Sequence, residues 1–188
     1  EINTLPDGHG DFLPIQCDVQ QADDIQNAVQ KTLTHFGRLD ILVANAGVGH
    51  RGALADADWD EIQTLLRTNI DGVLHSVRAV IPIMKQKGGG HIILISSVVY
   101  NMTAPYTTIY AASKAFVSSL AKSLRLELEA DKIYVTDMLV GRTESEFNEK
   151  RMGAGGRNSV GRFPVMPTEK VAKGIIHASS QKRKAVAF

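Results

Sequence analysis

Residues 39–47, LDILVANAG, run apolar for the length of one strand and stop at turn residues. A strand carrying apolar side chains on both faces must be covered on both, which points to a parallel sheet rather than an antiparallel sheet with one wet face. The rest of the chain supplies the covering helices. Residues 22–36 place Ile25, Val29, Leu33 and Phe36 at helical spacing, and Gly37 ends the run. Asp58 with Glu61 forms a capping box for a helix through about Lys87, with Pro82 near its end as a kink or stop. Gly88-Gly89-Gly90 breaks that pattern, and HIILISS (91–97) is the next strand. Residues 106–130 carry Phe116, Leu120, Leu124 and Leu128 on one helical stripe, and IYVTDMLV (133–140) is another strand. At the start, FLPIQC (12–17) reads as a strand after the turn-like PDGHGD (6–11). At the end, Thr168 caps a helix containing Val171, Ile175 and Ile176, and AVAF (185–188) opens a last strand. Residues 141–167 read as a long irregular segment. Strand and helix alternate without a repeat or a linker, so residues 1–188 are read as one α/β domain with a parallel sheet.

Composition narrows the functions open to such a domain. Twenty-one basic and twenty acidic residues leave a net charge of +1, so there is no field of one sign to gather nucleic acid. The basic run Lys182-Arg183-Lys184 follows a helical pattern, where cations suit the helix C-terminus. No apolar stretch approaches the eighteen or so residues of a membrane span. The single cysteine, Cys17, excludes an internal disulfide and fits a reducing compartment, the cytoplasm. It closes the apolar run at 12–17, a poor setting for a nucleophile. The six histidines lack metal-ligand spacing, so no metal is expected.

One short stretch carries chemistry. In IYAASKAF (109–116), Tyr110 and Lys114 are four apart, one above the other on a helix. A phenol and an ammonium both titrate near pH 10 when alone. Held together and partly desolvated, the cation favours phenolate and draws the tyrosine toward working range as a proton donor or acceptor. The same spacing also arises between ordinary helix residues, so the pair needs support from the rest of the chain.

That support comes as CDV (17–19), NAG (45–47), TN (68–69), ISS (95–97) and YAASK (110–114), in this order and spacing. The set resembles the short-chain dehydrogenase/reductase family from about residue 11 to the end of the chain. The resemblance implies a Rossmann-like, doubly wound parallel sheet and an NAD- or NADP-dependent oxidoreductase that interconverts a carbonyl and a secondary alcohol. Tyr110 would be the catalytic acid/base. Lys114 would lower its pKa and hydrogen-bond the nicotinamide ribose. Ser97 would polarise and orient the reacting oxygen, and Asn69 would hold a water in a proton relay. Asp18, beside Val19, matches the carboxylate that accepts a hydrogen bond from the adenine amino group; its other reading is a turn or cap residue before the helix at 22. Asn45, Ala46 and Gly47 match a turn passing close to the adenine-side ribose. Gly141 follows Val140 where the family has Pro-Gly, and Ser145, with Thr143 nearby, takes the place of the threonine that reaches the nicotinamide carboxamide. The first Asn of the family's NNAG is Ala44 here.

The family's opening strand, glycine-rich TGxxxGxG turn and helix find no match. MGAGGRNSVG (152–161) follows the wrong strand and is read as a mobile loop over the substrate. By the resemblance the chain would be a fragment lacking about fifty N-terminal residues, including the pyrophosphate-binding turn. The family further implies a homodimer or homotetramer, for which Ala112, Ala115, Ser119 and Ser123 offer a small-residue face. Val98, Val99, Tyr100, Met102 and Tyr106 suggest an apolar wall and an uncharged small-molecule carbonyl or alcohol. Two other functions share these residues: nucleotide-sugar epimerisation or dehydration, and a non-catalytic binding or scaffold role.

Overall fold

The computed structural model describes residues 10–102, 104–155, 164–182 and 184–187. A helix, α1 (Ala22–Phe36), leads into strand β1 (Ile41–Ala44), and Gly37 closes the helix at a φ of 71°. Helix α2 (Trp59–Leu66) starts as expected at Asp58, whose carboxylate accepts from the backbone N–H groups of Asp60 at 2.8 Å and Glu61 at 3.4 Å. The capping oxygen meets backbone donors that a helix start otherwise leaves unpaired. A π-turn (Arg67–Asp71) joins α2 to α3 (Gly72–Lys87), which continues through Pro82 instead of ending there. Then follow β2 (Gly90–Ser97), a single helical turn at Val98–Asn101, α4 (Thr108–Glu127) and β3 (Ile133–Val140). The two-residue strands β4 (Thr143–Glu144) and β5 (Met166–Pro167) pair with each other, and α5 (Thr168–Gln181) leads to β6 (Ala185–Ala187).

The main sheet is parallel in the order β1-β2-β3-β6, with Val43 beside Ile93, Ile93 beside Thr136 and Met138 beside Val186. Helices cover both faces. On one, Val77, Val80 and Met84 of α3 and Val117, Ala121 and Leu124 of α4 meet Ile92, Leu94 and Val135 of the sheet. On the other, Ile93 and Met138 meet Ala178 of α5. This is the α/β architecture expected from LDILVANAG, with all the site-bearing loops at the carboxyl ends of the strands.

Three local expectations fail. Residues 12–17 form no strand: a strand exists through a hydrogen-bonded neighbour, none lies beside this run among the described residues, and Phe12 is exposed. Thr168 does not cap α5 but is its first helical residue, and its hydroxyl donates to Glu144 O at 3.2 Å. The inward stripe of α4 is Val117, Ala121, Leu124 and Leu128, while Phe116 is 36% exposed. The Lys122 ammonium sits 5.6 Å from the Tyr100 ring. The glycine-rich run 152–161 is described only to Gly155, and the turn at 6–11 only from Gly10; the remaining residues of both lie outside the described residues.

Candidate active site

Three strand ends and one helix build the site. β2 delivers Ser97 at its last position, and α4 places Tyr110 and Lys114 one turn apart on the face toward the sheet. Ser97 is buried, its Oγ donating to Val140 O at 3.0 Å and accepting from Val99 N at 3.4 Å. Those two bonds hold the hydroxyl between the ends of β2 and β3. Lys114 is 5% exposed, with Nζ 5.9 Å from the Tyr110 ring centre and donating to Ile95 O at 2.9 Å. Its remaining N–H groups have that corner of the site to serve.

Asn69 enters from the π-turn, whose extra residue re-aims the helix locally; such turns recur at functional sites. Its Oδ1 accepts from Val48 N at 2.8 Å, and its Nδ2 donates to Val48 O at 2.9 Å and Ser113 Oγ at 3.1 Å. Ser113 in turn donates to Tyr110 O at 2.8 Å. Asn69 is thus a strap joining the loop after β1 to the start of α4. Both its amide protons are committed, so a water of the expected relay would find only the oxygen side of this group. Ser113 and Val48 had no assigned role in the sequence; the middle serine of YAASK was the available signal for the first.

Gly47 shows why this loop needs its glycine. A Cβ there would lie 3.3 Å from Asn69 Oδ1 and 3.4 Å from Lys114 Nζ, crowding the space between the two groups. Asn45 and Ala46 stand exposed before it, at the end of β1. On the other side of the π-turn, Val19 lies against Gly72, where a Cβ would come within 2.7 Å of Val19 Cγ2, and Val19 O pairs with His75 Nδ1 at 3.2 Å. Asp18 Oδ1 accepts from Gln20 N at 3.0 Å, and Asp18 N donates to Asp24 Oδ2 at 2.9 Å. The turn reading of Asp18 is therefore realised, and its second carboxylate oxygen is still available. Gly141, Thr143 and Ser145 follow β3, with the Thr143 and Ser145 hydroxyls 3.4 Å apart. The structure brings Ser97, Tyr110, Lys114, Asn69 and Gly47 into one cluster; Asp18 with Val19, and Thr143 with Ser145, form separate groups beside it.

The electrostatics differ from expectation. Burial pushes the Tyr110 phenol up, and the hydrogen-bonding hydroxyl of Ser97 only partly offsets this. Lys114 is not a cause of lowering here; burial draws the lysine itself down to about 8, against the pull of the Asp137 carboxylate. The expected direction for Tyr110 is thus reversed: desolvation of the phenolate outweighs the Ser97 hydrogen bond. Cys17 is also pushed up, by burial and then by Asp24 and Asp18, so its thiol stays protonated.

Phe147 was not anticipated. Its ring lies 5.8 Å from that of Tyr110, and a Cβ on Gly49 would sit 3.0 Å from it. The contact spans distant parts of the chain, so no local spacing signals it. Beside it the loop after β1 pairs with residues 152–155 through Arg51 N to Met152 O at 3.0 Å and Met152 N to Gly49 O at 2.9 Å. A cavity of 440 Å³ behind this pair is lined by His50, Tyr106 and Gly153 but not by Tyr110 or Ser97. Among the described residues, no three His, Cys, Asp or Glu side chains come together as a metal site, and no helix is long and apolar enough to cross a membrane.

The sequence and the fold are both matched by known proteins. Residues 2–154 match the family model for the short chain dehydrogenase, and the chain belongs to that family. It is 32% identical over 190 residues to the 11-beta-hydroxysteroid dehydrogenase 1A of Arabidopsis thaliana, covering 95% of this chain and 54% of the relative. It is 33% identical over 188 residues to a 3-oxoacyl-[acyl-carrier-protein] reductase of Thermotoga maritima, covering 97% and 74%. The chain spans about half the length of several curated relatives it matches. Among solved structures, a 3-ketoacyl-(acyl-carrier-protein) reductase from Brucella melitensis complexed with NADH superposes with a TM-score of 0.82 at 26% identity, over 92% of this chain and 75% of that one. A serine dehydrogenase complexed with NADP+ matches equally well, at a TM-score of 0.82 and 26% identity, over 92% and 73%.

Proposed function

We propose that the protein is an NAD(P)-dependent oxidoreductase that interconverts a carbonyl and a secondary alcohol, with Tyr110 as the proton carrier. The observation that carries this reading is the cluster itself: a phenol with the Ser97 hydroxyl beside it and the Lys114 ammonium one turn below, buried at the carboxyl ends of parallel strands. Open α/β sheets bind their ligands in that position. With no Cβ, Gly47 lets the backbone after β1 approach Asn69 and Lys114 closely, which suits a loop that borders a bound dinucleotide. Asn45, Ala46 and Gly47 would line its adenine-side ribose, with Asp18 and Val19 nearer the base. Lys114 would hold the nicotinamide ribose, and Gly141, Thr143 and Ser145 would border the carboxamide. A bound nicotinamide supplies or accepts the hydride, which no side chain can do.

The side chains have the remaining work. In the reducing direction the Ser97 hydroxyl leaves Val140 O and donates to the substrate carbonyl, fixing its orientation and drawing charge onto its oxygen. Tyr110 then gives its proton to that oxygen. A raised phenol pKa suits this direction, since the proton is present at neutral pH. In the oxidising direction Tyr110 must first lose its proton, a step that burial of the phenol opposes. Asn69 and Ser113 keep the start of α4 in register with the loop that carries Gly47.

Val98, Val99, Met102 and Tyr106 favour an uncharged, apolar substrate. Exposed Trp59, Phe116 and Leu126 favour association with a second copy, and a monomeric mass by light scattering at micromolar concentration would count against that. The function is tested by following NADH and NADPH oxidation against a panel of ketones and aldehydes. Turnover with one cofactor and apolar carbonyls is the expected result; a folded protein that oxidises neither cofactor with any of them contradicts it.

A further inference from the structure

Beneath Lys114 lies a buried carboxylate that the mechanism above does not use. Side chains alternate along a strand, and on β3 Ile133, Val135 and Asp137 take the face covered by α3 and α4, the first two within the core there. Asp137 is 4% exposed. A carboxylate in such a place is costly unless it is hydrogen-bonded and meets an opposite charge. The hydrogen bond comes from Ser96 Oγ on the neighbouring strand to Asp137 Oδ1. The opposite charge is Lys114, whose Nζ lies on the carbonyl of Ile95, between Leu94 and Ser96 on that strand; Leu94 is directly paired with Asp137.

Lys114 and Asp137 hold different hydrogen-bond partners, so the carboxylate acts on the ammonium as a field rather than through contact. Among the described residues, the titratable groups facing Lys114 are Tyr110 on its own helix and Asp137 on β3. The π-turn, the loop after β1 and the end of β2 present the neutral Asn69, Gly47 and Ser97. Asp137 is then the one fixed negative charge in this surround.

We propose that Asp137 is a positioning residue for the reaction: anchored by Ser96, it is the counter-charge that keeps the buried Lys114 an ammonium. Burial works the other way, drawing Lys114 down to about 8, and the carboxylate is what opposes it. The consequence for catalysis rests on the role proposed above for Lys114; the charge on Lys114 can be measured without turnover.

The test deletes the charge and keeps the shape. Asp137→Asn retains an oxygen for Ser96, and NMR of 13Cε-lysine in the full chain reads the titration of Lys114, its resonance assigned by loss in Lys114→Met. The midpoint is expected to fall by about one pH unit or more, the size of effect a nearby opposite charge has on a buried group. Ser96→Ala, which leaves the charge but removes its anchor, is expected to move it less and in the same direction. An unchanged or raised midpoint in both variants, with near-ultraviolet dichroism intact, overturns the proposal. A midpoint that falls while the pH profile of turnover stays fixed upholds the electrostatic assignment and overturns the catalytic role of Lys114.

Discussion

The two halves of α4 bury different things against the same sheet. In its second half Val117, Ala121 and Leu124, with Leu128 just beyond, fill an apolar core with Ile92, Leu94 and Val135. In its first half Ser113 and Lys114 are buried almost as completely, but through polar contacts: hydrogen bonds with Tyr110 O, Asn69 and Ile95 O, and the approach of the Lys114 ammonium to the Tyr110 ring. The apolar half gains from removing area from water, whatever the detailed geometry. The polar half gains little net energy from its bonds, and each one left unmade would be costly. The first half therefore fixes a geometry that the second half makes stable enough to hold.

This contrast is sharpened by substitutions that should separate stability from chemistry. Leu128→Ala, at a fully buried position, is expected to lower unfolding stability by about 2–5 kcal/mol, measured by urea denaturation. Below its melting range this variant should keep normal turnover; if catalysis falls in step with stability, the two halves are not separable.

A second outcome concerns pH. Lys114 titrates at about 8 in the fold against an ordinary value of 10.5. Between those values the unfolded chain holds a proton that the native state has released, so stability from this group rises with pH across that window. The gap amounts to about 3 kcal/mol in all. Tyr110, whose pKa is raised, acts in the opposite direction only above the ordinary phenol value near 10. Between about pH 8 and 10 the wild-type midpoint in denaturant should therefore climb, and Lys114→Met should flatten the climb. An identical slope in the two proteins would mean that the lysine is not buried as described.

The sequence made the apolar half easier to read than the polar half, though not in every detail. β3 was expected at residues 133–140 and runs from Ile133 to Val140, because its apolar run is bounded by polar residues at one end and glycine at the other. The α4 stripe was drawn through Phe116 at intervals of four, which drift by about 40° per step on a helix of 3.6 residues per turn. The buried apolar stripe begins at Val117 instead. The strand expected at 12–17 failed because apolar pattern alone cannot supply a hydrogen-bonded neighbour. In the site, Tyr110, Lys114, Ser97 and Asn69 were legible as residues of the right type at the right spacing. Their bonds were not: Asn69 reaches across from the π-turn to Val48, and Asp137 looks like one polar residue in a strand until β2 places Ser96 beside it. The upward shift of Tyr110 is hidden in the sequence for the same reason, since how far the phenol is desolvated is a property of the packed site.

The most direct measurement is turnover of Tyr110→Phe beside binding of NAD(P)H, followed by nicotinamide fluorescence. Removing only the hydroxyl keeps the ring against Phe147 and leaves Lys114 and Gly47, proposed to border the cofactor, in place. Turnover is predicted to fall by at least about 100-fold, the lower range for loss of a general acid–base group, with cofactor binding retained. Near-normal turnover in this variant would contradict the account, and Tyr110 would then be only a helix residue beside a buried lysine.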